Sequence, residues 1–108
     1  MIRGAVYRVD FGEAKRGHER HRQHGRRYAV VLSPSSMPWS VATVVPTSTG
    51  AQPAVFRPEL EIMGSLTRLL VDRIRSIDIA HVHGDPVAYL ERDELSEVEH
   101  AVQRYLGL

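Results

Sequence analysis

The sequence predicts a mainly β fold, a small and strongly bent sheet or barrel, with one C-terminal helix packed on it. Several short segments rich in strand-forming residues are separated by turn residues, which is typical of all-β domains. Only the last segment carries apolar residues at three- and four-residue spacing, which favours a helix. At 108 residues the chain is long enough for one core and too short for two, so we expect residues 1–108 to form a single domain.

The first part of the chain contains two predicted strands separated by a long loop. Residues 5–11 follow Gly4 and alternate large and polar side chains, which predicts a half-buried strand. Residues 12–25 carry no apolar periodicity and are predicted to form a loop, and a loop of about 14 residues is usually functional or disordered. The continuous apolar run at 28–32 predicts a central strand that is buried on both faces.

A third strand is predicted at 41–45. Pro46 should stop it, because proline has no N–H to donate to a sheet ladder. Residues 47–50, Thr-Ser-Thr-Gly, then form a polar loop.

The remaining β segments are less regular. Residues 53–62 are compatible with one or two strands, with Pro58 forcing an edge or a bend. The strand pattern continues over 69–79, and Gly84-Asp85-Pro86 predicts a turn.

The closing segment predicts an amphipathic helix. Asp93 and Glu94 lie near its start, where the helix dipole favours negative charge, and Gly107 is placed to end it. The apolar stripe consists of Leu95, Val98, Ala101, Val102, Tyr105 and Leu106.

Composition narrows the function classes. The absence of cysteine excludes disulfides and thiolate metal sites. No segment has the length of apolar run that a signal peptide or a membrane helix needs, so we expect a cytoplasmic protein without a membrane partner. Six histidines are present, but neither the triplet His18, His21 and His24 nor the pair His81 and His83 comes with the further ligands of a metal site. We therefore predict no metal.

Positive charge is concentrated in the loop before the second strand, although the net charge is only +1. Such a face attracts phosphate, and a solvated loop without a partner is the alternative. Arg26 and Arg27 stand where this loop meets the buried strand, so either a phosphate contact or a surface ion pair suits them. From Ala14 to Arg27 the single acid is Glu19, and the basic residues are Lys15, Arg16, Arg20, Arg22, Arg26 and Arg27.

Several motifs follow one another in an order known from one family. They are GAVYRVD at 4–10, KRGHE at 15–19, GRRYAVVLSP at 25–34, VVPTST at 44–49 and LVDRIRSI at 70–77, followed by the closing helix that ends in LGL. Over essentially its whole length the chain resembles the MazF/PemK family, the sequence-specific endoribonuclease toxins of toxin–antitoxin pairs.

The resemblance implies an SH3-like bent barrel of the MazF/CcdB toxin type that forms a homodimer. It also implies single-stranded RNA as substrate, cleaved by the substrate's own 2′-hydroxyl without a metal or other cofactor, and inhibition by a cognate antitoxin. By position, the catalytic residues are Arg27, Ser48 and Glu19. The RNA contacts are expected at Lys15, Arg16, Arg20, Arg22, Arg26, Thr47, Thr49 and Arg73.

Some alternatives stay open on the sequence. Thr49 is the alternative to Ser48 as the reactive hydroxyl, and Tyr28 stands where the family has a proline. A guanidinium keeps its proton, so the general base is Glu19, a histidine or water. Messenger, ribosomal and transfer RNA are all open as targets. A non-catalytic, CcdB-like toxin that binds gyrase is the alternative function on the same fold, and an inactive RNA-binding barrel is a third.

Overall fold

The computed structural model describes residues 1–11, 26–36 and 40–108, and within them the chain forms seven β-strands and one α-helix. Two short 3-10 turns, Val71–Arg73 and Ile79–His81, flank β6. The elements are β1 (Ala5–Asp10), β2 (Arg26–Val31), β3 (Val41–Ser48), β4 (Glu59–Ile62), β5 (Ser65–Leu69), β6 (Arg75–Asp78), β7 (Val82–Tyr89) and α1 (Arg92–Leu106).

The strands form one antiparallel sheet in the order β4-β5-β3-β2-β1-β7, with β6 as a second neighbour of β3. β3 changes neighbours along its length: residues 41–44 pair with β6, and Thr47 and Ser48 pair with β5. The sheet must bend where β3 passes from one neighbour to the other. The prediction of a mainly β, strongly bent fold with a C-terminal helix is therefore confirmed.

The central strands bury side chains on both faces. One face contributes to the helix-side core, in which Val6, Val30 and Val45 pack against Val98 of α1. The alternate residues of the same strands, with Ile77 of β6, build what we call the opposite core: Ala5, Tyr7, Val9, Phe11, Ala29, Val31, Val44 and Ile77. The prediction that the run at 28–32 lies in a strand buried on both faces is confirmed, since residues 29–31 are fully buried.

Pro46 does not end the third strand, so the predicted stop was wrong. Leu32 N–H donates to Thr43 C=O at 2.9 Å, which makes these two residues a hydrogen-bonded pair. Bonded and non-bonded pairs alternate along an antiparallel ladder, and Pro46, opposite Ala29, falls in a non-bonded pair that needs no donor toward β2. On its other side the Pro46 carbonyl accepts from Leu70 N–H at 2.8 Å. Thr47 and Ser48 are consequently strand residues and not part of the predicted loop.

The turn predicted at Gly84-Asp85-Pro86 was also wrong, because these residues lie inside β7. Val6 pairs with Ala88 and Arg8 pairs with His83, so β1 advances two residues while β7 advances five. The extra residues form a bulge, and Gly84 at φ +75° supplies the left-handed backbone that the bulge requires.

Segments 53–62 and 69–79 are less regular than a strand pattern indicates. The first holds one strand, β4, which begins directly after Pro58. In the second, Leu69 ends β5, and a 3-10 turn precedes β6.

The helix prediction is confirmed: α1 begins with a capping box between Glu91 and Glu94 and ends at Gly107 in the left-handed conformation.

Candidate functional site

The register between β2 and β3 brings two of the predicted site residues together. Ala29 pairs with Pro46 and Val30 pairs with Val45. Continued by two residues beyond the last of these pairs, the same register places Arg27 opposite Ser48, and both residues are inside their strands. Directly opposite residues have Cβ atoms about 4.5–5.5 Å apart and present their side chains on one face. Arg27 and Ser48 are therefore cross-strand neighbours.

Tyr28 and Thr47, which lie one residue before Arg27 and Ser48 in this register, support its continuation. Thr47 Oγ1 donates a hydrogen bond of 2.8 Å to the Tyr28 carbonyl, so the two strands stay close beyond the last paired residues. On its other edge, β2 pairs with β1, and Arg27 lies opposite the fully buried Val9. The backbone of Arg27 is thus held by its pairing with β1, and its half-buried side chain lies on the face of the opposite core.

The three consecutive hydroxyl residues after Pro46 have different surroundings. Thr47 is buried and its hydroxyl is occupied by the Tyr28 carbonyl. Ser48 is half-buried, and its Oγ accepts the Gly50 N–H at 3.2 Å, which leaves the hydroxyl proton able to donate. Thr49 is exposed and follows the end of β3. Of the two alternatives from the sequence, Ser48 is the one on the face of Arg27.

Sequence reasoning missed Arg75 and named Arg73 instead. Arg73 is exposed and ends the 3-10 turn Val71–Arg73. Arg75 pairs with Val44, which lies on the face of the opposite core, and its guanidinium lies 4.8 Å from the ring centroid of Phe11. The available signal was alternation, since Arg75 lies two residues before the buried Ile77 and shares its face.

The turn that precedes Arg75 is fixed by an ion pair. Arg57 binds Asp72 with two hydrogen bonds of 2.9 and 2.8 Å, and also donates to the Gln52 carbonyl at 3.1 Å. The Arg57 and Asp72 side chains are 17% and 19% exposed. The hydrogen bonds from Arg57 hold the pKa of Asp72 below its ordinary value, and they raise the pKa of Arg57. This pair anchors the start of β6.

Several predicted site residues lie partly or wholly outside the described part of the chain. Arg26 starts β2 opposite Asp10, and only its backbone is described. Within the described ranges, no three potential metal ligands lie close enough together to hold an ion. The helix found in these ranges is not long and apolar enough to cross a membrane. The predicted residues Lys15, Arg16, Glu19, Arg20 and Arg22, like the triplet His18, His21 and His24, lie outside the described residues.

Comparison with known proteins gives a match over nearly the whole chain. The family model for PemK-like, MazF-like toxins of type II toxin–antitoxin systems matches residues 2–106. A Mycobacterium tuberculosis protein that bears the name of a toxin is 76% identical over 108 residues, which is 100% of this chain and 99% of that protein.

Solved structures are similar in fold over the same length. MazF from Deinococcus radiodurans has a TM-score of 0.79 and 28% identity, and the match covers 100% of this chain and 97% of that one. An endoribonuclease in complex with its cognate antitoxin, from a mycobacterial species, has a TM-score of 0.80 and 17% identity over 100% and 96% of the two chains. At that lower identity the likeness concerns the fold alone.

Proposed function

The chain belongs to the family of PemK-like and MazF-like toxins of type II toxin–antitoxin systems, and we propose that it is an endoribonuclease that cleaves single-stranded RNA without a metal ion. The observation that carries this proposal is the register of β2 and β3, whose continuation by two residues sets Arg27 opposite Ser48. A guanidinium and a hydroxyl on one face provide donors for two oxygens of a single phosphate.

Arg27 is proposed to stabilise the charge that develops during cleavage. Attack of the 2′-hydroxyl on the adjacent phosphorus forms the new P–O bond, and the 5′-oxygen leaves with the electron pair of the old one. Negative charge accumulates on the phosphoryl oxygens in between, where a fixed guanidinium stabilises the transition state more than the ground state. Pairing with β1 holds the Arg27 backbone, so little reorganisation is needed at that moment.

Ser48 is proposed to donate a hydrogen bond to the same phosphate. Because its Oγ already accepts from the Gly50 N–H, the direction of its own proton is restricted. Proton removal from the 2′-hydroxyl needs another group, and Glu19, a histidine or water are the candidates. The reaction would leave a 2′,3′-cyclic phosphate and a 5′-hydroxyl.

The wider surface would bind the RNA strand. Arg75 lies on the face of the Arg27–Ser48 pair and adds positive charge there. The basic residues Lys15, Arg16, Arg20 and Arg22, together with Arg26 of β2 and with Thr47, Thr49 and Arg73, are proposed as further RNA contacts. We also propose that the chain acts in the cytoplasm as a homodimer, and that a cognate antitoxin inhibits it by excluding RNA.

The direct test is incubation of the purified protein with single-stranded RNA in EDTA. We expect cleavage by the wild type and at least a hundredfold slower cleavage by Arg27→Ala, since loss of one preorganised transition-state donor costs about 10²–10³-fold in rate. Intact RNA with the wild type would overturn the proposal, and gyrase inhibition by the same preparation would then support the gyrase-binding alternative.

A further inference from the structure

A small pocket lies at the same strand ends, on the face away from the Arg27–Ser48 pair. Its volume is about 140 Å³. Typical sites for drug-sized ligands measure roughly 300–1,000 Å³, so this pocket has room for one flat ring and not for a larger ligand. Its apolar wall is formed by Tyr28, Ile62 and Met63. The rest of the lining carries four hydroxyl groups, those of Thr47, Thr49, Ser65 and Thr67.

The pocket is continuous in sequence with the proposed reaction site. Tyr28 directly follows Arg27 on β2, while Thr47 and Thr49 flank Ser48 on β3. Because side chains alternate along a strand, neighbours of the reactive pair point to the opposite face. An RNA strand whose phosphate lies at Arg27 and Ser48 therefore needs to pass only the end of β3 to bring an adjacent base to the pocket.

The hydroxyl groups of the pocket differ in what they offer a ligand. Thr47 donates its proton to the Tyr28 carbonyl, and Thr67 donates its proton to the Ser65 carbonyl at 3.0 Å. With those protons committed, the two oxygens can serve a ligand only as acceptors. The hydroxyls of Thr49 and Ser65 can rotate to donate or accept. Every RNA base presents both kinds of group on its edge, so this set suits a base better than a purely apolar ring.

The stacking surface and the positive charge of Arg8, beside Tyr28, also favour a base in this position. The guanidinium of Arg8, directly opposite Tyr28 on β1, lies 5.8 Å from the centroid of the Tyr28 ring. Aromatic rings and guanidinium planes are the surfaces on which unpaired bases stack. The exposed Arg8 also complements the charge of the RNA backbone.

Met63 supplies an independent indication that the pocket is functional. The β4–β5 hairpin has the two-residue loop Met63-Gly64 with φ of +52° and +83°, the geometry of a type I′ turn. Such turns favour Asn, Asp or Gly at the first position, because larger side chains are strained there. Backbone strain persists most often where function requires the residue. Here the residue places a flexible, polarisable thioether in the pocket wall.

We propose that this pocket holds one unstacked nucleobase of the RNA, next to the scissile phosphate, and so sets part of the cleavage sequence. The inference rests on the proposed ribonuclease function. Tyr28 provides the stacking surface, Met63 closes the apolar wall, and Thr67 accepts a hydrogen bond from the base edge. Tyr28, Met63 and Thr67 are specificity residues in this account and take no part in bond breaking.

The first test reads the cleavage sequence. RNA of random sequence is cut partially in EDTA, and the 5′ ends of the fragments are sequenced for the wild type and for Tyr28→Leu, Thr67→Val and Met63→Asn. We expect the base preference at one position beside the cut to fall by about 5- to 150-fold, the range that base–aromatic stacking contributes, while other positions keep theirs. Met63→Asn should also raise the melting temperature, because asparagine suits the turn. Thr43→Val and Tyr89→Leu, which change a hydroxyl and a tyrosine elsewhere, are the matched controls.

A second test does not depend on cleavage. A single-stranded DNA, which lacks the 2′-hydroxyl, carries a photoreactive bromine on one base at a time and is crosslinked to the protein. We expect crosslinks at Tyr28 or Met63.

The two tests separate the pocket from the proposed activity. Crosslinks at Tyr28 or Met63 without RNA cleavage would support the pocket and reject the nuclease. Cleavage with crosslinks only elsewhere, and with unchanged base preference in all three variants, would overturn the pocket. Loss of antitoxin binding in these variants, with the RNA preference unchanged, would overturn it as well, because the pocket would then be a protein docking site.

Discussion

Removal of the Ser48 hydroxyl separates its proposed role at the phosphate from any role in the fold. A hydrogen bond to a charged group is worth about 1.5–3 kcal/mol, which corresponds to roughly a 10- to 150-fold loss in cleavage rate for Ser48→Ala. The fold should tolerate this change, because the hydrogen bond that Ser48 Oγ makes within the described part of the chain is the one it accepts from the Gly50 N–H, at 3.2 Å and in an exposed setting. We expect the free energy of unfolding to change by no more than about 0.5 kcal/mol.

The adjacent residue should behave in the opposite way. Thr47 is 7% exposed, and its hydroxyl bonds the Tyr28 carbonyl at 2.8 Å. Thr47→Val keeps the shape and removes that donor, so the unfolding free energy should fall by about 1–3 kcal/mol. Its effect on the cleavage rate should be smaller than that of Ser48→Ala, since the Thr47 side chain points to the other face of β3.

The assay measures single-turnover cleavage of one RNA oligonucleotide in EDTA, with urea unfolding of the same preparations. Thr43→Val serves as the matched control, because Thr43 lies on the same strand and its hydroxyl contacts Ser76 at 3.2 Å. If Ser48→Ala cleaved at the wild-type rate while Thr47→Val or Thr49→Ala lost a hundredfold, the assignment from the strand register would be refuted.

Three further predictions concern charge and packing. Arg27→Lys should retain some cleavage but remain well below the wild type, because an ammonium cannot make two parallel hydrogen bonds to a phosphate; equal rates for Lys and Arg would contradict a bidentate contact. Asp72→Asn should lower the midpoint of urea unfolding at pH 7, since it leaves Arg57 without its carboxylate partner. The pKa of Asp72 is lowered in the fold, so its stabilisation is complete above the ordinary value of 3.8 and is lost as the pH falls through the lower folded value. The difference between the two proteins should therefore shrink in acid, and a pH-independent difference would count against the ion pair. Val98→Ala should cost about 1.5–3 kcal/mol, because Val98 is fully buried between α1 and the sheet. The exposed Val87→Ala is the control in thermal unfolding, and equal melting temperatures for the two variants would refute this packing.

Local patterns in the sequence predict the strand at 28–32 and the closing helix, because burial on two faces and an apolar stripe leave clear periodicities. The effect of Pro46 could not be predicted in this way. The missing N–H of Pro46 ends the strand only if Pro46 falls in a hydrogen-bonded pair with β2, and on the other edge its effect depends on where β3 changes its neighbour from β6 to β5. Both depend on the tertiary structure and not on the local sequence.

The candidate site, too, could be predicted in part from sequence motifs, while the rest depends on the tertiary structure. Motif order points to Arg27 and Ser48, and the register of β2 and β3 makes them neighbours. Arg73 was named from a motif, and Arg75 was not considered because the motif does not reveal the 3-10 turn that interrupts the segment before β6. The pocket at Tyr28 and Met63 joins β2, β3 and the β4–β5 hairpin, which are distant in sequence. A single sequence carries no sign of such a contact.

The central claim is that the Arg27–Ser48 pair acts on a phosphate attacked by its own 2′-hydroxyl. The most direct measurement uses a cleavable RNA oligonucleotide in EDTA, beside the same oligonucleotide with one 2′-deoxy nucleotide on the 5′ side of the scissile phosphate, and mass spectrometry of the products. We predict a 2′,3′-cyclic phosphate and a 5′-hydroxyl from the RNA, and no cut at the modified position. Cleavage at the 2′-deoxy position, or a product with a 5′-phosphate, would contradict the account.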